Sequence, residues 1–238
     1  MPVKSELFSH IASETDPLLS LESGGTEIYL IRHGNALPDA NEVADGSYDD
    51  QPLSELGRRQ SLALAERIKE LSIAAIYSSP IRRAFETASF IGDALGLTIC
   101  INEELREVGL QQDPHLFVHL GSEERVMAVR AYLHDVEIAA LQVGIWSQIS
   151  GCEPSETLRT RLTLIVNHIA SQYVGKRVAI ITHAGAINAY IAASLGLERD
   201  FFFPALNTSI SVVRVREKQQ LLVRLNDTAH LSRLNNLE

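Results

Sequence analysis

The 238-residue chain predicts an α/β fold, a three-layer α/β/α domain around a mostly parallel sheet. Two apolar runs, Ile28-Tyr29-Leu30-Ile31 and Val178-Ala179-Ile180-Ile181-Thr182, are continuous and rich in β-branched residues, as in strands covered on both faces. Each runs into a histidine closely followed by glycine, as Arg32-His33-Gly34-Asn35 and His183-Ala184-Gly185. Helical spacings separated by further short apolar runs fill much of the interval. Ligands of open α/β sheets gather beyond the carboxyl ends of the strands, so Arg32, His33 and His183 are expected at one pocket.

Residues 1–26 read as an N-terminal extension. Leu7, Phe8 and Ile11 share one face of a short helix before Asp16-Pro17 interrupts it, and Ser23-Gly24-Gly25 links it to the first strand. Lys4, Glu6, Glu14, Asp16 and Glu22 break up any apolar stretch, so a secretory leader or membrane span is not expected there. After the first strand, a polar loop runs from about Ala36 to Gln51. Ser54 is placed as the N-cap of a helix carrying Leu56, Leu62, Ala63, Ala65, Ile68 and Leu71, with Glu55 in its first turn. Ile73–Tyr77 reads as a second strand, and a helix over 81–95 is stopped by Gly96. Leu97–Ile101 is the third strand. Residues 108–154 read as a mainly helical insertion beside the site, with helix over 123–141. A helix opens at Pro154-Ser155 and runs to about Tyr173, and another covers 186–195. Ser209–Val215 and Gln220–Leu225 form a terminal hairpin joined by Arg216-Glu217-Lys218. Residues 27–238 thus form one domain.

Composition narrows the partners. Hydrophobic residues make up 45% and charged residues 21%, ordinary globular values, while the net charge of -9 argues against nucleic acid and anionic membranes. An anionic substrate then needs its own local cations. Cys100 and Cys152 are too far apart for a spaced zinc motif, and a reducing cytoplasm is expected. Neither a metal nor another cofactor is expected, because two histidines without an evident third ligand, flanked by arginine, suit an anion better than a cation.

Five segments occur in an order that resembles the histidine phosphatase superfamily, also called phosphoglycerate mutase-like. They are Arg32-His33-Gly34; Pro52-Leu53-Ser54-Glu55-Leu56-Gly57 with Gln60; Ser79-Pro80-Ile81-Arg82-Arg83-Ala84 with Thr87-Ala88; Leu105-Arg106-Glu107; and His183-Ala184-Gly185. The resemblance covers the chain from about Glu27 to its end. It implies that His33 is a nucleophile, since a neutral imidazole can attack phosphorus and divide one displacement into two easier ones. It implies that Arg32 and Arg83 grip the phosphate, their forked guanidinium groups matching its oxygens. The family pattern selects Arg83 over Arg82; neighbours on a helix point about 100° apart, so Arg82 is assigned to solvent or a surface carboxylate. His183 is expected to donate to the same phosphoryl group, with the Ala184 and Gly185 N–H groups at a helix start beside it. Glu107 is chosen as general acid and base over Glu103 and Glu104 by the Leu-Arg-Glu spacing.

Other residues keep two readings. Asn35 either donates to the phosphate or shapes a turn. Glu156 resembles, with departures, the family's Gly-Glu-Ser stretch, and helix capping explains it as well. Asn207-Thr208-Ser209 and Asn226–His230 either approach the pocket or form turns, with turns preferred; His115, His119, His134 and His168 are assigned to the surface or to structural bonds; Trp146 and Phe117 either line the substrate side of the insertion or pack in the core, with the core preferred. The expected reaction is hydrolysis of a phosphate monoester on a small molecule or a phosphoprotein. A mutase-type transfer would use the same groups, but family mutases typically carry Glu-Ser after His-Gly, and this chain has Asn35-Ala36. Non-catalytic phospho-ligand binding is the third reading. The terminal hairpin offers an edge for pairing with a second copy.

Overall fold

The computed structural model describes residues 18–36, 50–110 and 120–232. The expected short helix around Leu7–Ile11, most of the loop after Asn35, His115, Phe117 and His119 lie outside the described residues. A six-stranded mixed sheet forms the centre, in the order β3-β2-β4-β1-β5-β6. Its strands are β1 (Thr26–Arg32), β2 (Ile73–Ser78), β3 (Ile99–Ile101), β4 (Arg177–Thr182), β5 (Ile210–Arg216) and β6 (Gln219–Asp227). The first four in spatial order are parallel, whereas β5 runs antiparallel to both β1 and β6. Five α-helices occur among the described residues: α1 (Glu55–Ile68), α2 (Arg82–Leu95), α3 (Ser122–Val143), α4 (Ser155–Gln172) and α5 (Ala184–Leu195).

Side-chain alternation builds the layers. Ile28, Leu30, Val178, Ile180, Val213 and Val215 face α4 and α5, where Leu158, Leu162, Ile165, Ile169, Ile187 and Tyr190 meet them. Their neighbours Tyr29, Ile31, Ala179, Ile181, Ile210 and Val212 face Leu64, Ile68, Ala84, Ala88 and Ile91 of α1 and α2. Both faces of the sheet are therefore buried, which explains the continuous apolar runs. Truncating a fully buried member such as Ile180 should cost about 2–5 kcal/mol.

The elements follow the sequence with small shifts. The Ser54 side chain accepts from Gly57 N and caps α1 as expected. β3 is shorter than Leu97–Ile101 because Leu97 N donates to Gly92 O, closing the end of α2 at the left-handed Gly96. α5 starts at Ala184 rather than 186, so its first turn lies directly against the site. Arg216 pairs with Gln219, which reduces the hairpin turn to Glu217-Lys218. Ser23-Gly24-Gly25 is a docked turn rather than an open linker: Gly25 N donates to Ser20 O, Arg216 binds Ser23 O, and Leu19 is buried.

Register also explains a buried charge. Glu27 on β1 has Arg177 opposite on β4 and Arg214 opposite on β5. Both donate to its carboxylate, at 2.8 and 2.9 Å. Burial alone would raise the Glu27 pKa; hydrogen bonds and charge from Arg214 and Arg177 outweigh it and hold the pKa below the usual value. This cluster sits at the start of β1, at the opposite end from His33. Both cysteines are free thiols, and no helix among the described residues is long and apolar enough to cross a membrane.

Candidate active site

β1, β2 and β4 all end at one edge of the sheet, and the residues after them form a cavity of about 340 Å³. Arg32, His33, Asn35, Arg83, Glu107 and Ala184 line it. Residues from positions 32 to 184 thus share one wall because three parallel strands end together.

His33 is fixed at its backbone and ring. Its N–H donates to Thr182 O, and its carbonyl accepts from Asn207 Nδ2 at 3.1 Å and from Thr208 N. Gly34 N donates to Thr87 Oγ1 at 3.0 Å, which gives the threonine of the Arg-Ala-x-x-Thr run its role. A side chain at Gly34 would meet Gly57 O at 2.8 Å, so glycine permits the close approach of α1. The ring Nδ1 lies 2.7 Å from Gly34 O, and Arg83 Nε lies 3.1 Å from Nε2. A carbonyl only accepts and a guanidinium N–H only donates. The proton therefore sits on Nδ1, and Nε2 presents a lone pair. Burial, then the charges of Arg83 and Arg32, push the His33 pKa well below its usual value and keep the ring neutral.

His183 stands behind this ring, at 5.1 Å between centroids, and is fully buried. It is not among the residues that line the cavity. Ser79 Oγ accepts from Ile81 N and lies 2.9 Å from His183 Nε2. The other ring nitrogen, Nδ1, is buried without a partner. Burial first, then Arg83, His33 and Arg32, lower the His183 pKa well below the usual range. Arg32 donates to Ala205 O through Nη1, while its buried Nε has no partner. Burial lowers its pKa, and Glu107 and Glu137 partly oppose that; guanidinium starts high enough to stay charged. Arg32 Nε and His183 Nδ1 are thus buried nitrogens without partners around His33, and a guanidinium N–H of this kind suits an anion.

Glu107 meets α5 end-on. Its Oε1 accepts from Val108 N and Ala186 N, each at 3.0 Å, and Oε2 from Gly185 N at 3.2 Å. The expected anion at this helix start is therefore a carboxylate of the chain itself, with Gly185 N turned to Glu107. Ala184 lines the cavity at the first helical position. Glu103 instead pairs with Arg106, and Arg82 pairs with Glu86, as its assignment away from the phosphate requires. Asn35 keeps both roles: it lines the cavity, while its Oδ1 and backbone carbonyl are tied to Ser54. Glu156 lies in a separate groove with Arg161 and His168. His230 bonds Thr208 and is not on the cavity wall.

The wall includes residues of α3 that the sequence does not single out, and it also takes in Asn207 and Trp146 in the first of their two readings. Arg130, His134 and Glu137 of α3 line the cavity together with Gln51 and Asn207. This differs from the surface or structural role that the sequence alone suggests for His134. The only signal was the i, i+4, i+7 spacing of three polar residues, which a solvated helix face shows equally. Trp146 is buried, meets Phe201 edge to face, and also lines the cavity, its indole N–H without a partner. Asp200 holds that segment by accepting from Trp146 N, Ser155 Oγ and Arg159.

The model of the histidine phosphatase superfamily, branch 1, matches residues 28–228. The chain belongs to the histidine phosphatase superfamily. This histidine phosphatase is 30% identical over 235 residues to a metal-independent phosphoserine phosphatase of Arabidopsis thaliana, covering 92% of the chain and 89% of that protein. It is also 30% identical over 211 residues to phosphoglycerate mutase-like protein 4 of the same plant, covering 86% of each. Among solved structures, Bacillus stearothermophilus YhfR superimposes with a TM-score of 0.67 at 25% identity, covering 87% of this chain and all 100% of that one. A mycobacterial glucosyl-3-phosphoglycerate phosphatase complexed with VO3 gives 0.65 at 25% identity, over 85% and 99% of the two chains. The histidine phosphatase is a phosphoric monoester hydrolase of this fold.

Proposed function

We propose that the enzyme hydrolyses a small phosphate monoester through a phosphohistidine on Nε2 of His33, without a metal. The observation that carries this reading is the ring's pair of contacts, Gly34 O on Nδ1 and Arg83 Nε on Nε2. They select the tautomer whose Nε2 carries the lone pair, and that lone pair accepts from a cation able to hold a phosphoryl oxygen. In the first step the Nε2–P bond forms and the ester P–O bond breaks, with Glu107 giving its proton to the leaving oxygen. In the second, water attacks phosphorus, Glu107 takes the water's proton, and the N–P bond breaks to release inorganic phosphate. Arg32, Arg83 and the His183 Nδ1–H stabilise charge on the phosphoryl oxygens.

The cavity volume suits a metabolite. Arg130 and His134 on its wall match a substrate carboxylate, and Glu137 matches an amine or hydroxyl. The relatives named for phosphoserine and glucosyl-3-phosphoglycerate support a small phosphorylated acid. Asn35-Ala36, in place of the Glu-Ser typical of the mutases, supports transfer to water rather than to a second hydroxyl. The free thiols of Cys100 and Cys152 accord with a reducing cytoplasm.

Rapid quench with labelled substrate should trap an acid-labile, base-stable phosphoryl group in the wild type and none in His33→Ala. Label on serine, aspartate or cysteine, or undiminished turnover in that variant, would overturn the nucleophile assignment.

A further inference from the structure

The stretch that carries Glu107 has little regular structure of its own. A single 3-10 turn, Glu103–Leu105, precedes it, and residues 106–109 belong to no helix or strand. Such a stretch leaves its carbonyls to be satisfied from outside. One side chain supplies most of what they need. Arg161 of α4 donates through Nη1 to Glu104 O at 2.6 Å and Arg106 O at 3.0 Å, and through Nη2 to Glu107 O at 2.9 Å. Its Nε and Nη2 donate to Glu153 Oε1 and Oε2, each at 2.8 Å. A guanidinium has five N–H donors, and these five contacts use all of them. Glu153 continues the attachment: its Oε2 accepts from Gly109 N at 3.0 Å, and its own N–H donates to Gly109 O at 2.7 Å.

We infer that Arg161, braced by Glu153, is the positioning residue for Glu107. It fixes the backbone on both sides of the carboxylate, while the first turn of α5 fixes the carboxylate itself. Arg161 does not touch the substrate side; it opens onto a separate groove with Glu104, Glu156 and His168. An exposed arginine–glutamate pair contributes little to stability. This pair is 15% and 14% exposed at its side chains, and it is spent on a segment whose displacement by an ångström would misdirect a proton. The inference rests on Glu107 being the general acid and base.

The test compares pre-steady-state phosphorylation by an alkyl phosphate, which needs a proton for its leaving group, with that by 4-nitrophenyl phosphate, which needs little. General acids contribute about 10²–10⁴-fold, so Arg161→Gln should slow the alkyl ester by roughly tenfold to a hundredfold. The aryl ester should change by less than about threefold on the same grounds, with KM for both esters little altered. Arg161→Lys keeps the charge without the fork and should not restore the alkyl rate. In a Glu107→Gln background, Arg161→Gln should add no further loss, because it acts through the group already removed. Glu153→Gln, which keeps the arginine and weakens its brace, should show the same leaving-group selectivity in milder form and serves if Arg161→Gln fails to fold. Equal losses on both esters, or losses that add to those of Glu107→Gln, overturn the inference. If Glu107→Gln itself shows no leaving-group selectivity, the acid assignment falls and this inference with it. If Glu107→Gln is selective and neither Arg161→Gln nor Glu153→Gln is, the acid assignment stands and only the role of Arg161 is lost.

Discussion

His33 and His183 lie side by side with two arginines nearby, and both rings are held neutral by burial and then by nearby positive charge. The sign of the pH effect follows. In the unfolded chain each histidine takes up a proton near its ordinary value, about 6.5, whereas the folded protein resists protonation until lower pH. Between the two values the unfolded state binds more protons, so stability present above about pH 6.5 is lost progressively as the pH falls toward the folded values. The melting temperature should therefore drop between about pH 7 and pH 5, and less steeply in His33→Gln than in the wild type. A wild-type melting temperature that stays level or rises on acidification contradicts this account. For catalysis the same shifts keep the Nε2 lone pair available across neutral pH. The acid limb of kcat/KM should lie below the ordinary histidine range, as a pH profile with an alkyl phosphate will show.

At the scale of elements, α5 and α1 bring their first turns to the site in different ways. α5 aims Gly185 N and Ala186 N at Glu107, and no side chain fits between them: a Cβ on Gly185 would stand 2.6 Å from Glu107 Oε1 and 2.7 Å from Val108 Cγ2. Gly185→Ala should shift the carboxylate, slowing alkyl esters more than aryl esters, and overpacking should cost about 1–3 kcal/mol in denaturant unfolding. Equal rates for wild type and variant on both esters would show that Glu107 tolerates displacement. α1 begins at Ser54, whose hydroxyl accepts from Gly57 N and donates to Asn35 Oδ1. Ser54→Ala removes the cap and should cost about 0.5–2 kcal/mol by the same measurement. It should also loosen Asn35, raising KM.

These elements show why parts of the molecule were readable in advance. Ser54 and Gly96 declare helix ends through local chemistry, and the runs at Ile28 and Val178 declare buried strands through composition alone. β3 was over-extended because Leu97 serves a helix cap that a β-like run does not reveal. The helical insertion was legible only as helix. Which face of α3 meets the cavity depends on how the helix lies across the sheet edge, so Arg130, His134 and Glu137 looked like ordinary solvated residues. Arg161 was similarly hidden, because its partners are main-chain carbonyls some fifty positions earlier, and carbonyls leave no mark in a sequence.

For the whole molecule, the net charge of -9 contrasts with a cavity that gathers Arg32, Arg83 and Arg130. The cations an anionic substrate would need are thus supplied locally rather than by the overall charge. Vanadate, which adopts the five-coordinate geometry of the reacting phosphorus, should compete with substrate. Activity should survive EDTA; loss that one divalent ion restores would move the enzyme to a different mechanistic class.

The hold on His33 has a consequence for how the chain acquires activity. Its peptide groups are bonded by Thr182 on β4, by Thr87 on α2 through Gly34, and by Asn207 and Thr208 before β5. The last two come 174 positions or more after the residue they secure. Loop closure over such distances comes late, after local helices have formed. A refolding chain can therefore show nearly full helical signal while it remains catalytically silent. In stopped-flow refolding, ester hydrolysis should return in the slowest phase, after far-UV ellipticity. It should coincide with the fluorescence of Trp146, the single tryptophan, as the cavity wall closes around it. Enzyme activity is thereby a stricter gauge of native assembly in this protein than any measure of secondary structure.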